Sequence, residues 1–258
     1  MNAYIECCQR YVGQQKTALI WEGKNGESEQ WSFEQLDVAS AQLANYFKSI
    51  GIQVGDCIAG LLPRTPELLI TILATWRIGA IYQPLFTAFE SKAIEHRVLT
   101  ANTKLIVTNA EQRPKLNHVE VKHILTVNAG TNLPSNETDF WQEAKQQSNQ
   151  CEAVLRSFDD DFLMMFTSGT TGLAKSVPVP LKAVLAFKGY MQHAVDLRED
   201  DSFWNLADPG WAYGLYYGIT GPLSLGHSII MDERAFSVDH AVEVIKKYRV
   251  SNLTGSPT

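Results

Sequence analysis

Short apolar segments alternate with longer amphipathic segments along the first half of this chain. Residues 57–62 are apolar, and residues 104–108 contain the apolar run 105–107. Residues 65–79 and 90–101 repeat apolar side chains at helical spacing. Parallel strands need a crossover connection between them, and a helix is the usual one. The alternation therefore predicts the α/β class, with mainly parallel β-sheets flanked by helices.

Local signals mark where two of these helices begin and end. Ser32 with Gln35 forms a capping-box pattern, and Gly51 closes the apolar repeat that follows it. Residues 65–67 (Thr-Pro-Glu) place a hydroxyl, a proline and an acid at the start of the next helix, which reaches residue 79. We therefore predict helices over 32–51 and 65–79.

The polar stretch 128–157 divides the chain into two predicted lobes, 1–157 and 158–258. The first lobe begins with a helix over 4–16 and a hairpin of 18–23 with 28–33. It continues with strands at 57–62, 80–83, 104–108 and 123–127 and a helix over 90–101. The second lobe has predicted strands at 162–166, 202–206, 227–231 and from 250, with helices over 181–197 and 238–248 and a short one ending at 225. The last residues, 255–258, fall where a strand would pass into a loop, so we expect a truncated protein.

Composition limits the possible partners of the chain. Its 258 residues are 45% hydrophobic and carry a net charge of -6, which argues against a nucleic-acid-binding surface. The chain has four cysteines, Cys7, Cys8, Cys57 and Cys151. They form no CxxC pair, so neither a zinc site nor a disulfide framework is expected. No signal-peptide pattern or membrane-span-length apolar run occurs, which predicts a soluble cytoplasmic protein.

A loop rich in glycine and hydroxyl residues follows the predicted strand 162–166, in the stretch MMFTSGTTGLAKSVPV (164–179). Glycine allows backbone N–H groups to converge on an anion, hydroxyls add donors, and a lysine adds charge, so the loop is suited to bind phosphate. An ordinary surface turn has the same residue types. A Walker loop needs four residues between its glycines and a lysine directly after the second, and this sequence has neither.

The loop FTSGTTGLAKSV resembles the phosphate-binding signature of the adenylate-forming superfamily, with Ala174 where proline is usual and Ser176 where glycine is usual. Residues 31–85 are similar in order and spacing to the early segment of that family, and 252–258 resemble its strand before the adenine-binding region. Residues 207–231 (ADPGWAYGLYYGITGPLSLGHSIIM) resemble acetyl-CoA and other acyl-CoA synthetases more than peptide-synthetase adenylation domains. The resemblance implies an incomplete N-terminal large domain of the acyl-CoA synthetase-like fold.

The resemblance also implies the chemistry and the site residues. The reaction would join a small carboxylic acid to ATP to give acyl-AMP and pyrophosphate and then form the CoA thioester, with Mg²⁺ on the phosphates. The implied contacts to the ATP phosphates are Thr167, Ser168, Gly169, Thr170, Thr171, Gly172 and Lys175. Trp211, Ala212 and Tyr213 would border the acid, and Arg113, near residues 86–88, would approach the CoA phosphate.

The catalytic lysine, the hinge and the adenine-binding residues of that family would follow residue 258. No catalytic residue and no metal ligand is therefore named, and we expect the chain alone to be inactive. Three alternatives stay open: a Walker-type triphosphatase, a non-catalytic nucleotide- or acyl-binding module, and another adenylate-forming ligase such as a peptide-synthetase adenylation domain. The sequence does not identify the acid or the oligomeric state.

Overall fold

A computed structural model describes residues 1–130, 133–167 and 172–255. The chain forms two compact units. The first comprises Met1–Ile5, Val38–Pro63 and Glu67–Leu181, and the second comprises Glu6–Asp37, Arg64–Pro66 and Lys182–Thr258. The division into lobes at residue 157 stays a prediction.

Strands and helices alternate along the described chain. The helices are α1 Ala3–Cys7, α2 Phe33–Ser49, α3 Pro66–Arg77, α4 Ser91–Thr100, α5 Phe140–Lys145, α6 Ala183–His193, α7 Gly221–Ser224 and α8 Val238–Tyr248. The strands are β1 Thr17–Glu22, β2 Ser28–Ser32, β3 Cys57–Leu61, β4 Ile81–Pro84, β5 Leu105–Asn109, β6 His123–Val127, β7 Glu137–Asp139, β8 Asp161–Thr167, β9 Lys175–Pro180, β10 Phe203–Asn205, β11 Ile229–Asp232 and β12 Asn252–Thr254. Gln9–Tyr11 and Arg113–Leu116 are 3₁₀ turns, and Gly214–Thr220 is a π-helix.

A seven-stranded sheet is the centre of the first unit. Its strand order is β7-β6-β5-β3-β4-β8-β9, and every neighbouring pair is parallel except β8 with β9. Buried side chains of β3, β5, β6 and α4 form one core cluster, which includes Leu61, Ile94, Val98, Ile106 and Ile124. The predicted α/β class with a mostly parallel sheet is confirmed.

The second unit contains two small sheets. In the first, β1 pairs in parallel with β11 and antiparallel with β2. In the other, β10 and β12 run parallel. The hairpin of β1 and β2 and the capping box of α2 form as predicted, since Gln35 N donates to Ser32 Oγ at 3.2 Å and Ser32 N donates to Gln35 Oε1 at 2.8 Å.

Three parts of the secondary structure differ from the prediction. The helix predicted over 4–16 ends at Cys7 and is followed by a 3₁₀ turn. The polar stretch 128–157 contains an edge strand, β7, and a helix, α5, whose Phe140 is fully buried. Residues 175–180, for which the sequence predicts no strand, form β9; its two prolines are tolerated because β9 is an edge strand.

All four cysteines lie in the described part of the chain, where each is buried and free of a disulfide. No helix among the described residues is long and apolar enough to cross a membrane.

Candidate functional site

Three of the predicted binding segments lie at the same edge of the sheet in the first unit. The parallel strands β4, β5 and β8 end at this edge. They lead into residues 86–88, into the 3₁₀ turn with Arg113, and into the glycine loop. Ligands of open α/β sheets bind at the carboxyl ends of the strands. The topology therefore brings the segments predicted to bind ATP and CoA phosphates to the edge where such ligands bind.

The glycine loop connects β8 to β9. Thr167 and Lys175 are partners in the antiparallel ladder, so the two strands hold the ends of the loop close together. Gly172 has φ +94°, a left-handed conformation that glycine adopts without strain. The other predicted phosphate contacts, Ser168, Gly169, Thr170 and Thr171, lie outside the described residues.

Lys175 begins β9 and exposes its side chain. Within the described ranges its ammonium has no carboxylate partner and donates no hydrogen bond to the protein. An exposed ammonium on a flexible stem is a mobile positive charge that can follow an anion. Lys175 is therefore available to contact an anion at this end of the sheet.

Two neighbouring residues of α4, His96 and Arg97, contact the hairpin of β8 and β9. No local sequence pattern predicts these contacts. His96 Nε2 lies 2.8 Å from the carbonyl oxygen of Ala174. The guanidinium of Arg97 stacks on the rings of Phe89, at 4.1 Å, and Phe166, at 5.6 Å. Burial lowers the pKa of Arg97 from its ordinary value. The contact of His96 joins residues 78 positions apart, so only the folded chain reveals it.

Arg113 is held by an ion pair. Its Nε donates to Glu137 Oε2 at 2.7 Å and its Nη1 donates to Asn117 Oδ1 at 3.1 Å. Glu137 is buried and also accepts from Thr126 Oγ1 at 2.5 Å. A surface cavity of about 330 Å³ adjoins Arg113, and Lys115 of the same 3₁₀ turn donates to the Thr87 carbonyl. The turn and the loop 86–88 are therefore fastened together.

In the second unit, the segment predicted to border the acid follows the carboxyl end of β10. Asp208 Oδ1 accepts from Gly210 N at 2.7 Å, and Asp208 O accepts from Trp211 N at 3.0 Å. Burial raises the pKa of the Asp208 carboxyl, with the Gly210 amide and Arg64 opposing the effect. These contacts form a tight turn that presents Trp211, whose exposed fraction is 45%.

Glycine is required where this turn meets the π-helix. A Cβ on Gly214 would lie 2.2 Å from the Asp208 carbonyl oxygen and 2.8 Å from that of Ala207. Both atoms are backbone, so a side chain has no room unless the turn itself moves. Single π-helical turns occur frequently at functional sites.

An aromatic cluster surrounds Tyr213. Its ring contacts Tyr217 edge-on at 5.2 Å, and Tyr217 stacks on Tyr190 of α6 at 4.0 Å. Tyr216 stacks on Phe187 of α6 at 4.3 Å. Burial raises the pKa values of Tyr213 and Tyr217, and that of Tyr216 to about 12. These phenols therefore stay neutral and present an uncharged wall. Ala212, which lies between Trp211 and Tyr213 in the sequence, is half-exposed.

The described part of the chain contains no group of three or more His, Cys, Asp or Glu side chains that could hold a metal ion.

Comparison with known proteins decides the family. The family described as AMP-binding enzyme matches residues 8–258. This chain is an AMP-binding enzyme family member. An acetyl-coenzyme A synthetase of Deinococcus radiodurans is 31% identical over 292 residues, which cover 100% of this chain and 43% of the relative. An acetyl-coenzyme A synthetase of Pseudoalteromonas translucida is 29% identical and is covered to 44%.

The fold of this AMP-binding family member has a close counterpart among solved structures. A crystal structure of Brucella canis acyl-CoA synthetase superposes with a TM-score of 0.96 at 50% sequence identity, covering 100% of this chain and 47% of that one. The chain thus spans a little under half the length of the relatives it matches. The predicted family resemblance is confirmed.

Proposed function

We propose that this chain is part of an AMP-forming acid–thiol ligase, an ATP-dependent acyl-CoA synthetase. In the first step an oxygen of the carboxylate attacks the α-phosphorus of ATP, the bond from that phosphorus to the bridging oxygen breaks, and pyrophosphate leaves with the electron pair. In the second step the CoA thiol gives its proton to water and its sulfur attacks the acyl carbon, and the bond from that carbon to the phosphate oxygen breaks so that AMP leaves with the electron pair. The names of the relatives, acetyl-coenzyme A synthetase and acyl-CoA synthetase, support this reaction class.

The observation that carries the proposal is the ammonium of Lys175, unpaired within the described ranges, beside a glycine loop at the carboxyl edge of the sheet. Charge builds up on the leaving pyrophosphate, and a cation beside it, together with loop N–H donors, stabilises it in the transition state. Ser168, Gly169, Thr170 and Thr171 would complete the phosphate contacts together with Thr167 and Gly172. The loop holds the phosphates, and Lys175 follows the leaving group.

The acid-binding residues would be Trp211, Ala212 and Tyr213 of the second unit. Neutral aromatic rings suit an apolar acyl chain, and the packing of Tyr213 against Tyr217 leaves a bulky group at the wall. A bulky wall favours a short acid. We therefore propose a small carboxylic acid as the substrate.

CoA and Mg²⁺ are the remaining components of the proposal. Arg113 uses Nε and Nη1 to bind Glu137 and Asn117, which leaves Nη2 without a partner among the described residues, and the cavity beside it is open to solvent. This nitrogen, with the loop 86–88, would meet a CoA phosphate. Mg²⁺ would supply charge neutralisation on the ATP phosphates; none of the steps assigned to these residues depends on it. The free, buried cysteines suit a reducing compartment, which supports a cytoplasmic location.

The experiment is acid-dependent exchange of labelled pyrophosphate into ATP, measured on the natural protein that contains this chain, with acetate, propionate, butyrate, benzoate and a panel of amino acids. Lys175→Met should lower the exchange rate by about 10²–10³-fold, the effect of removing one donor that stabilises charge in the transition state. Lys122→Met is the matched control, because Lys122 is exposed and precedes β6, at the opposite edge of the parallel sheet.

Each alternative gives a different result in the same experiment. ATP binding without exchange for any acid would indicate a non-catalytic nucleotide-binding module. Exchange with amino acids alone would indicate a peptide-synthetase adenylation domain, and ATP hydrolysis without an acid would indicate a triphosphatase. Equal losses in Lys175→Met and Lys122→Met would contradict the role given to Lys175.

A further inference from the structure

Residues 172–174 form the C-terminal arm of the glycine loop. A hydrogen bond between His96 and Ala174, which we call the tether, holds this arm from outside the ladder of β8 and β9. Gly172 is in the left-handed region, and no atom of the described residues lies within 4 Å of the position a Cβ would take there. Leu173 exposes 64% of its surface. Ala174 precedes the first ladder pair, and its carbonyl oxygen lies 2.8 Å from His96 Nε2. A side chain of α4 therefore contacts an otherwise open arm.

The helix that carries His96 is firmly anchored. Ile94 and Val98, two residues to either side, are fully buried in the core cluster of the sheet. The Arg97 guanidinium stacks on Phe166, the penultimate residue of β8, and the Arg97 carbonyl accepts from Gln83 Nε2 of β4 at 3.1 Å. His96 thus stands on a base that is packed against the same sheet from which the loop emerges.

We propose that His96 is a positioning residue that fixes the C-terminal arm of the phosphate loop through the Ala174 carbonyl. The inference rests on the proposed function, in which this loop binds the phosphates of ATP. His96 acts through the loop and not on the reacting atoms.

The chemistry of the contact fixes the protonation of the ring. A carbonyl oxygen only accepts, so Nε2 must carry the proton. The neutral Nε2–H tautomer and the imidazolium both donate from that atom. The neutral Nδ1–H tautomer would place two acceptors against each other.

Removing the donor should weaken ATP binding and leave the chemical step nearly unchanged. A contact made equally in the ground state and the transition state affects KM with kcat preserved. Loss of one neutral hydrogen bond corresponds to roughly a two- to tenfold rise in the KM for ATP. The KM for the acid and the KM for CoA should stay within about twofold of wild type.

The variants are His96→Leu, which removes the donor, and His96→Gln, whose amide nitrogen is the same number of bonds from the backbone as Nε2. His118→Leu is the matched control, because His118 is an exposed histidine of the same unit. Kinetics are measured on the natural protein containing this chain, with amide hydrogen exchange over residues 172–176. We expect higher KM for ATP and faster exchange in His96→Leu only, with His96→Gln close to wild type.

The tautomer gives a readout that needs no variant. Nitrogen-15 NMR of the unmodified protein should show His96 protonated at Nε2, the atom that faces the Ala174 carbonyl. The Nδ1–H tautomer overturns the proposal. So does His96→Leu with wild-type KM and exchange, or His96→Gln as impaired as His96→Leu. A wild-type protein without acid-dependent activity overturns the proposed function instead, and exchange and NMR still decide the tether.

Discussion

Gly214 offers the sharpest test of the turn that presents Trp211. Substitution by alanine places a Cβ 2.2 Å from the Asp208 carbonyl oxygen, where ordinary contact is 3.4–4 Å. The obstructing atoms are backbone, and no rotamer change can relieve the overlap. The turn or the start of the π-helix must therefore move by about 1 Å.

The cost of that movement has two parts. Forcing extra volume into a packed site costs about 1–3 kcal/mol. Displacing the Asp208 carbonyl also breaks its hydrogen bond from Trp211 N, 3.0 Å long, which contributes about 1 kcal/mol. Gly214→Ala should therefore lower the free energy of unfolding by about 2–4 kcal/mol and the melting temperature by roughly 4–16 °C.

Gly189→Ala is the matched control, because Gly189 lies inside α6 and no atom of the described residues is within 4 Å of its Cβ position. Alanine in a helix interior is favoured over glycine by about 1 kcal/mol, so this variant should be more stable than wild type. Urea unfolding followed by circular dichroism and thermal melting measure both. A Gly214→Ala protein as stable as wild type would refute the reasoning.

Three further predictions concern local chemistry. Ser32→Ala should cost about 1 kcal/mol in urea unfolding, because Gln35 N loses its cap acceptor; an unchanged midpoint would speak against the capping box. Burial raises the pKa of the Asp208 carboxyl above its ordinary 3.8, so ionisation of this group opposes folding. The free energy of unfolding of wild type, relative to that of Asp208→Asn, should therefore fall as pH rises from 3 to 7, and a constant difference would contradict this. Burial raises the pKa of Cys57 to about 12, so Ellman's reagent at pH 8 should leave it unmodified until the protein unfolds, and native labelling would be the contrary result.

Features that are decided over a few residues are the ones that the sequence predicts best. The bounds of α8, 238–248, are those predicted, and Ser237 Oγ caps the helix by accepting from His240 N. The capping box of α2 is equally local. Helix starts depend on hydrogen bonds within one turn, which a sequence displays directly.

Edge strands and tertiary contacts are less accessible from the sequence. β9 contains Pro178 and Pro180, which lower strand propensity, and its pairing with β8 holds it in the sheet. Arg113 is predicted to approach the CoA phosphate, whereas its carboxylate partner Glu137 lies in a polar stretch that is poor in periodicity. The tether from His96 to Ala174 depends on how the chain folds back on itself. Such pairings follow from the sheet order, which local patterns leave undetermined.

The most direct test of the central claim is a crystal structure of the natural protein containing this chain with a bound, non-hydrolysable ATP analogue. We expect phosphate oxygens within the glycine loop and about 2.7–2.9 Å from Nζ of Lys175, the length of a charge-assisted hydrogen bond. A nucleotide bound elsewhere, with its phosphates out of reach of Lys175, would contradict it.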